Sequence, residues 1–327
     1  MQATHAPMSF PSMFNMETID LFHANANTNS VLERNIGQSI GLGAVVGKVG
    51  TETVGTMHLT NLLRMEHAVY KIAPPAWPTT KDSAAEGRGR AIYARTCKGC
   101  HQPKALENGL FASKRVPLAT VATDPLHLDG LGEHIVPSTG PQAGKDLGQI
   151  FELIVPVFAG VEASYRARHP GELEAEERAY TQSSPDAAKI AAARSDAWWR
   201  TTNASTDRAY VARPLDGIWA TAPFLHNGSV PTLWDLLQPA KDRPVAFCVG
   251  HRTYDVENVG YTVVLPKSGV CPSGDSLLDT DPSKPETRGN SNRGHEFGTD
   301  LSGSEKRDLI EFLKGFGAGK ARPTIVD

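Results

Sequence analysis

No methionine follows Met65 in these 327 residues, no apolar run approaches the roughly 20 residues that cross a bilayer, and neither sign of charge prevails. Each absence excludes something. With 33 Lys and Arg against 36 Asp and Glu, a formal charge of −3, there is no basic field to draw nucleic acid or an anionic membrane surface, and neither is expected as a partner. The missing apolar run removes a helical membrane span. The opening Met1-Gln2-Ala3-Thr4-His5-Ala6-Pro7 has neither the charged nor the apolar region of a signal peptide. Strand signals are sparse as well. Gly260-Tyr261-Thr262-Val263-Val264-Leu265 is the best of them and reads as part of a hairpin-like excursion.

What is present is concentrated in a few segments. The four cysteines fall into Cys97 with Cys100, and Cys248 with Cys271. The second pair brackets a Gly-, Val- and Tyr-rich loop and reads as a disulfide, which an oxidising compartment permits and which stabilises by about 3 kcal/mol in the chain-entropy model. The first pair belongs to Cys97-Lys98-Gly99-Cys100-His101. Two thiols at this spacing reach both vinyl positions of one haem while the adjacent imidazole reaches its iron. A structural zinc site would need a second Cys or His pair at finger spacing, and Cys248 and Cys271 are too far apart in sequence to supply it. The expectation is one covalently attached c-type haem with His101 as proximal ligand. Such haems are normally attached after export, which conflicts with the leaderless start; the motif is the more specific signal, so a periplasmic or secreted protein missing an upstream segment is expected.

The opposite face of the iron cannot take a downstream methionine, since all six precede the motif. Six histidines remain: His127, His134, His169, His226, His251 and His295. His295 lies in the glycine-flanked Gly294-His295-Glu296-Phe297-Gly298 just before a terminal helix and is favoured; His226 is its rival, although its echo at His23 suggests a repeated role in holding a loop or a haem propionate by hydrogen bond, and an open sixth position is the residual case. Two histidines on iron leave no place for oxygen or peroxide. Arg213 is placed against a haem propionate by the fork geometry of guanidinium on carboxylate, with a solvated surface arginine as the alternative. Trp219 reads as core, and His58 and His67 stay unassigned.

The pattern predicts mainly helix with long loops and at most short β-hairpins, in a cytochrome c-like domain. Helices are expected from Ser30 to Ile40, Ser83 to Cys97, Lys145 to Arg168 and Pro185 to Arg200, with a further stretch from Thr60 to Ile72 and a break at Pro74-Pro75-Ala76-Trp77-Pro78. Gly89, Tyr93 and Cys97 share one face, and a last helix opens on the capping box Ser302-Gly303-Ser304-Glu305 with Leu309, Ile310 and Leu313 as its stripe. First and last helices should cross beside the haem. An internal echo pairs Ile19-Asp20-Leu21-Phe22-His23-Ala24-Asn25 with Ala222-Pro223-Phe224-Leu225-His226-Asn227-Gly228, a short hint of two related halves.

The long motif from Tyr210 to Leu233, together with Asn27 to Gly37, the haem pentapeptide and Gly294 to Gly298, resembles the di-haem cytochrome c enzymes, above all the haem-c rubber oxygenases. Bacterial cytochrome c peroxidases and methylamine-utilisation di-haem enzymes share a shorter form of it. The resemblance implies that His295 is the second histidine on the carboxy-terminal haem. It also implies that residues 1–78 end a first haem domain and that 79–327 form a cytochrome c-like haem domain with insertions. Those enzymes carry two Cys-x-x-Cys-His motifs and this chain has one. The readings that follow are a single-electron carrier served by an electron-transfer protein or a second haem domain, a peroxidase or oxygenase that lacks or borrows its other haem, and a degenerate gene product.

Overall fold

Backbone donors and acceptors that leave water must find partners, and among the described residues this chain finds them in eleven α-helices and ten short strands. The computed structural model describes the chain apart from residues 1–7, 10–11, 27, 29–30, 134–146, 196–207, 252, 268, 321 and 327. The helices are α1 (Val31–Gly41), α2 (Leu59–Tyr70), α3 (Ser83–Thr96), α4 (Lys98–His101), α5 (Leu118–Val121), α6 (Leu126–Glu133), α7 (Leu147–Arg168), α8 (Glu172–Thr181), α9 (Pro185–Ser195), α10 (Leu233–Leu236) and α11 (Gly303–Lys314). The strands are β1 (Val46–Val49), β2 (Glu52–Gly55), β3 (Lys104–Ala105), β4 (Phe111–Ala112), β5 (Lys114–Pro117), β6 (Ala209–Ala212), β7 (Ala246–Val249), β8 (Tyr254–Asp255), β9 (Gly260–Tyr261) and β10 (Ser276–Asp279). They pair antiparallel as β1–β2, β3–β4, β5–β6, β8–β9 and β7–β10.

The mainly-α expectation is therefore corrected. Helix takes 39 % and strand 15 % of the residues, and several small sheets stand beside the helices. The long loops lie partly inside the protein, where their backbone groups pair in ladders of two to four residues. Ladders that short leave no period-two pattern to read. The expected helices from Ser30 and to Arg200 are observed as α1 and α9, and that from Lys145 as α7, their missing ends lying outside the described residues. Of the predicted strand, only Gly260 and Tyr261 are in one.

Helices α3 and α11 cross as the shared face of Gly89, Tyr93 and Cys97 implies. A Cβ on Gly89 would lie 2.0 Å from the Asp308 carbonyl oxygen, so only glycine lets the two backbones meet. Tyr93 then packs on Phe312 and Phe316, with ring centroids 5.4 and 5.0 Å away. Leu309, Ile310 and Leu313 are buried in the same core, each contributing about 1.5–3 kcal/mol. The Ser302–Glu305 capping box forms as read, and Arg88 to Asp308 and Arg95 to Glu305 tie the crossing at its surface. A second core gathers Ile36, Leu59, Phe158, Val161, Tyr165 and Leu173 from α1, α2, α7 and α8.

The internal echo is real in the backbone, but shifted by one residue. Phe22 N–H donates to Thr28 O at 2.8 Å, and Phe224 N–H donates to Val230 O at 2.7 Å. Each turn has two left-handed residues in matching places, His23 (φ 63°) and Ala26 (φ 59°) in the first, Leu225 (φ 65°) and Gly228 (φ 68°) in the second. Buried Asn25 and Asn227 correspond, and α1 and α10 begin at the same offset. His23 is thus the backbone twin of Leu225, and His226 that of Ala24.

Candidate haem site

The α3–α11 crossing forms one side of a cavity of about 690 Å³. Cys97, Cys100 and His101 line it from the α3–α4 junction, Arg213 from the segment after β6, His23 and His226 from the two echoing turns, and His295 from the loop before α11. The pentapeptide folds as one helical turn on the end of α3. Cys97 N–H donates to Tyr93 O at 2.9 Å, and the Cys97 carbonyl accepts from Cys100 and His101 at 3.1 and 3.0 Å. Both thiols are free and half-buried. Burial, followed by the neighbouring Cys100, pushes the Cys97 thiol up to about 11, so it stands in this wall as a neutral sulfur.

His101 is oriented by its neighbour in space. Its Nδ1 lies 2.8 Å from the Arg213 carbonyl; that nitrogen donates, and Nε2 is left as the basic one. Burial lowers the His101 pKa, partly offset by the same hydrogen bond, and the ring is held neutral, the form that ligates metals. Across the cavity the His295 ring centroid is 6.0 Å away. Burial first, then the electrostatic influence of His101, felt only when that ring is protonated, and of Arg243, draw the His295 pKa down to about 3. Its Nδ1 is buried with no hydrogen-bond partner among the described residues.

The His295 loop is held largely by residues outside the sequence motifs. His295 N–H donates to Val121 O at 2.7 Å, and the backbone there is left-handed (φ 51°). A Cβ on the preceding Gly294 would sit 2.3 Å from Ala122 C, and its φ is 76°. Buried Arg243 spends all five guanidinium N–H groups on carbonyls. They go to Asn292 O (2.6 Å), Gly294 O (2.8 Å), His295 O (3.3 Å), Gln238 O (3.0 Å) and Leu236 O (3.2 Å). Asp124 Oδ2 accepts from Gly289 and Ser291 N–H at 3.1 and 3.3 Å, and Asn227 Nδ2 donates to the carbonyls of the same two residues at 3.0 and 3.1 Å.

His226 stacks on Tyr210 with centroids 4.2 Å apart, its Nε2 3.1 Å from the Tyr210 hydroxyl. That hydroxyl gives its one hydrogen to Asp124 O at 2.7 Å, so it accepts from His226 Nε2–H. Burial, then His127, lowers the His226 pKa to about 3. His127 also lines the cavity, with a buried, unpartnered Nε2. The other described histidines are engaged elsewhere. His169 pairs with Glu172, and His251 bonds both Asp275 and Thr262 O. His58 meets the Tyr165 hydroxyl at 2.9 Å, and His67 meets Glu176 at 3.0 Å; His134 lies outside the described residues. Trp219 packs edge-on to Trp77 at 5.1 Å against the main core. Cys248 and Cys271 are bonded to one another.

Residues 209–248, which include Arg213 and His226, match a family model described as RoxA-like, cytochrome c-like. Two curated relatives come from Sinorhizobium fredii (strain NBRC 101917 / NGR234). Uncharacterized protein y4iJ is 30 % identical over 355 aligned residues, which cover 95 % of this chain and 55 % of the relative. Uncharacterized protein y4iM is 26 % identical over 323, covering 93 % and 63 %. The chain thus spans little more than half the length of the curated relatives it matches. It carries a cytochrome c-like segment of RoxA-like type, a match that supports haem c binding and redox function. Among the described residues no helix is long and apolar enough to cross a membrane.

Proposed function

We propose that the chain is a c-type haem protein that passes single electrons, with haem linked to Cys97 and Cys100 and both axial positions taken by histidine, His101 and His295. One observation carries the reading: two neutral imidazoles face each other at 6.0 Å in a cavity that also presents both free thiols. A metal–imidazole bond is about 2 Å and a ring nitrogen lies about 1 Å from its centroid, so one metal ion between two rings needs a spacing of about 6 Å. The residues fit the group. A haem supplies a one-electron couple, and with two histidines on it leaves no place for oxygen or peroxide. The protein's part is to hold that couple in a dry, fixed cavity. The Arg213 carbonyl fixes the His101 tautomer, Arg243 fixes the His295 loop, and Leu309 and Leu313 of α11 keep water from one wall. His226 is the rival ligand, and its Nε2 is already committed to Tyr210.

With this reading goes the assignment, drawn from the resemblance, of residues 1–78 to the end of a first haem domain, and the partner is an electron-transfer protein or a second haem domain. It is periplasmic or secreted, supported by the Cys248–Cys271 bond, which persists in oxidising compartments. The test is the absorption spectrum of exported, haem-loaded protein, ferric and ferrous, with and without carbon monoxide, beside His295→Ala. A low-spin, carbon monoxide-inert wild type and a high-spin, carbon monoxide-binding variant are expected. A wild type that binds carbon monoxide has an open face, which sinks the bis-histidine reading and favours a peroxidase or oxygenase.

A further inference from the structure

Arg213 has a second role besides its carbonyl bond to His101. Arg213 lines the cavity, and its guanidinium forms no ion pair among the described residues. Arg213 is half-buried there, and a cation partly drawn out of water is costly unless a counter-charge meets it; Asp20 acts on it more weakly than burial and Arg34 act against it. Asp20 is itself engaged, accepting Ser113 N–H at 2.9 Å.

The groups beside Arg213 add to the excess of base. His23 has a buried Nε2 with no partner, and its pKa is lowered to about 4 by burial and then by Arg34, Arg213 and His127. His127 presents a second unpartnered, buried Nε2. His23, Arg34, His127 and Arg213 all line the one cavity and lie close enough for the other three to act on His23. Val211 N–H, donating to Ala24 O at 2.7 Å, pins the His23 turn against the strand that leads to Arg213. The thiols and the leucines of α11 line the same cavity. Its lining therefore offers both surfaces that haem presents, an apolar vinyl-bearing edge and a pair of carboxylates.

We propose that this basic wall is the seat of the two haem propionates, with the Arg213 guanidinium and the Nε2–H groups of His23 and His127 as donors. This rests on the haem reading above. On this assignment the Phe22–Thr28 turn, far upstream of the pentapeptide, is part of the haem site. Arg213 then holds the cofactor at two points, orienting the proximal ligand by its backbone and a carboxylate by its side chain, in the forked geometry guanidinium favours.

The experiment is redox-difference infrared spectroscopy and potentiometry on haem-loaded protein carrying ¹³C-labelled haem carboxyls. It compares wild type, Arg213→Gln, Arg213→Lys, His23→Leu and the remote control His251→Gln. In Arg213→Gln the labelled carboxylate bands shift and the reduction equilibrium against a fixed donor falls about tenfold, about 59 mV for one electron. Arg213→Lys restores most of the potential but not the band position. His23→Leu, which leaves Arg213 and His101 in place, moves a labelled band and decides the matter if Arg213→Gln does not mature. Labelled bands unmoved in the haem-loaded variants overturn the proposal. So does a wild-type potential that responds to added acetate while the variant bands stay fixed, because the seat then belongs to a free carboxylate. A wild type without thioether-linked haem instead refutes the functional reading on which this one rests.

Discussion

Replacing Gly89 with alanine drives a methyl carbon to 2.0 Å from the Asp308 carbonyl oxygen and 2.8 Å from Phe312 Cβ. The first obstacle is backbone, with no rotamer to change, so α3 and α11 must part by about 1 Å to restore a tolerable contact. Overpacking costs about 1–3 kcal/mol, and a displaced carbonyl on a helix that also packs Tyr93 and Phe316 belongs at the upper end. Alanine returns about 1 kcal/mol in helix propensity, for a net loss near 2 kcal/mol. Gly87 lies in the same helix with nothing within 4 Å of its would-be Cβ, so Gly87→Ala should gain about 0.5–1 kcal/mol. Urea unfolding of the two haem-loaded variants, followed by circular dichroism, should separate them by roughly 3 kcal/mol with opposite signs. Equal stabilities would show that the helix crossing does not depend on the close approach at Gly89.

Three further outcomes follow from the site and its surroundings. Arg243→Lys loses the five-way fork on the His295 loop, so a high-spin fraction and measurable carbon monoxide binding should appear while far-ultraviolet dichroism stays unchanged; an unaltered low-spin spectrum refutes the positioning role. Reducing Cys248–Cys271 should lower stability by about 3 kcal/mol and leave the Soret band alone; a changed Soret band would couple that loop to the haem. His226, with its folded pKa depressed to about 3, takes up its proton more readily unfolded, so its share of stability is complete above pH 6.5 and is lost as pH falls from there toward 3. His226→Asn should flatten the pH dependence of the urea midpoint in that window, and an unchanged slope contradicts the buried neutral ring.

Much of the site was legible because its chemistry is local. The pentapeptide is contiguous, the face of Gly89, Tyr93 and Cys97 repeats at helical spacing, and His295 stands out by its glycines and by the absence of any late methionine. Arg243 and Asp124 were not legible. Their partners are backbone groups of a distant loop, which carry no side-chain signature. The fold class was missed for a related reason. Ladders such as β3–β4 pair only two residues on each side, too few for alternation to show, yet enough of them shift the balance away from helix. The turn echo was visible, but matching its histidines set it one residue out of register, because the backbone is fixed by the left-handed positions and the asparagines, not by the imidazole.

That register has a consequence for how the two turns can change. In each, a residue with a full side chain, His23 or Leu225, occupies a left-handed position where glycine would rest without strain, at a cost of order 1 kcal/mol or more apiece. Both side chains line the cavity. Glycine at either position would relax the turn and at the same time strip a wall from the pocket, so a chain selected only for stability would drift toward losing its ligand. The strain is offset by the rest of the fold and is kept for the sake of the space those two residues line.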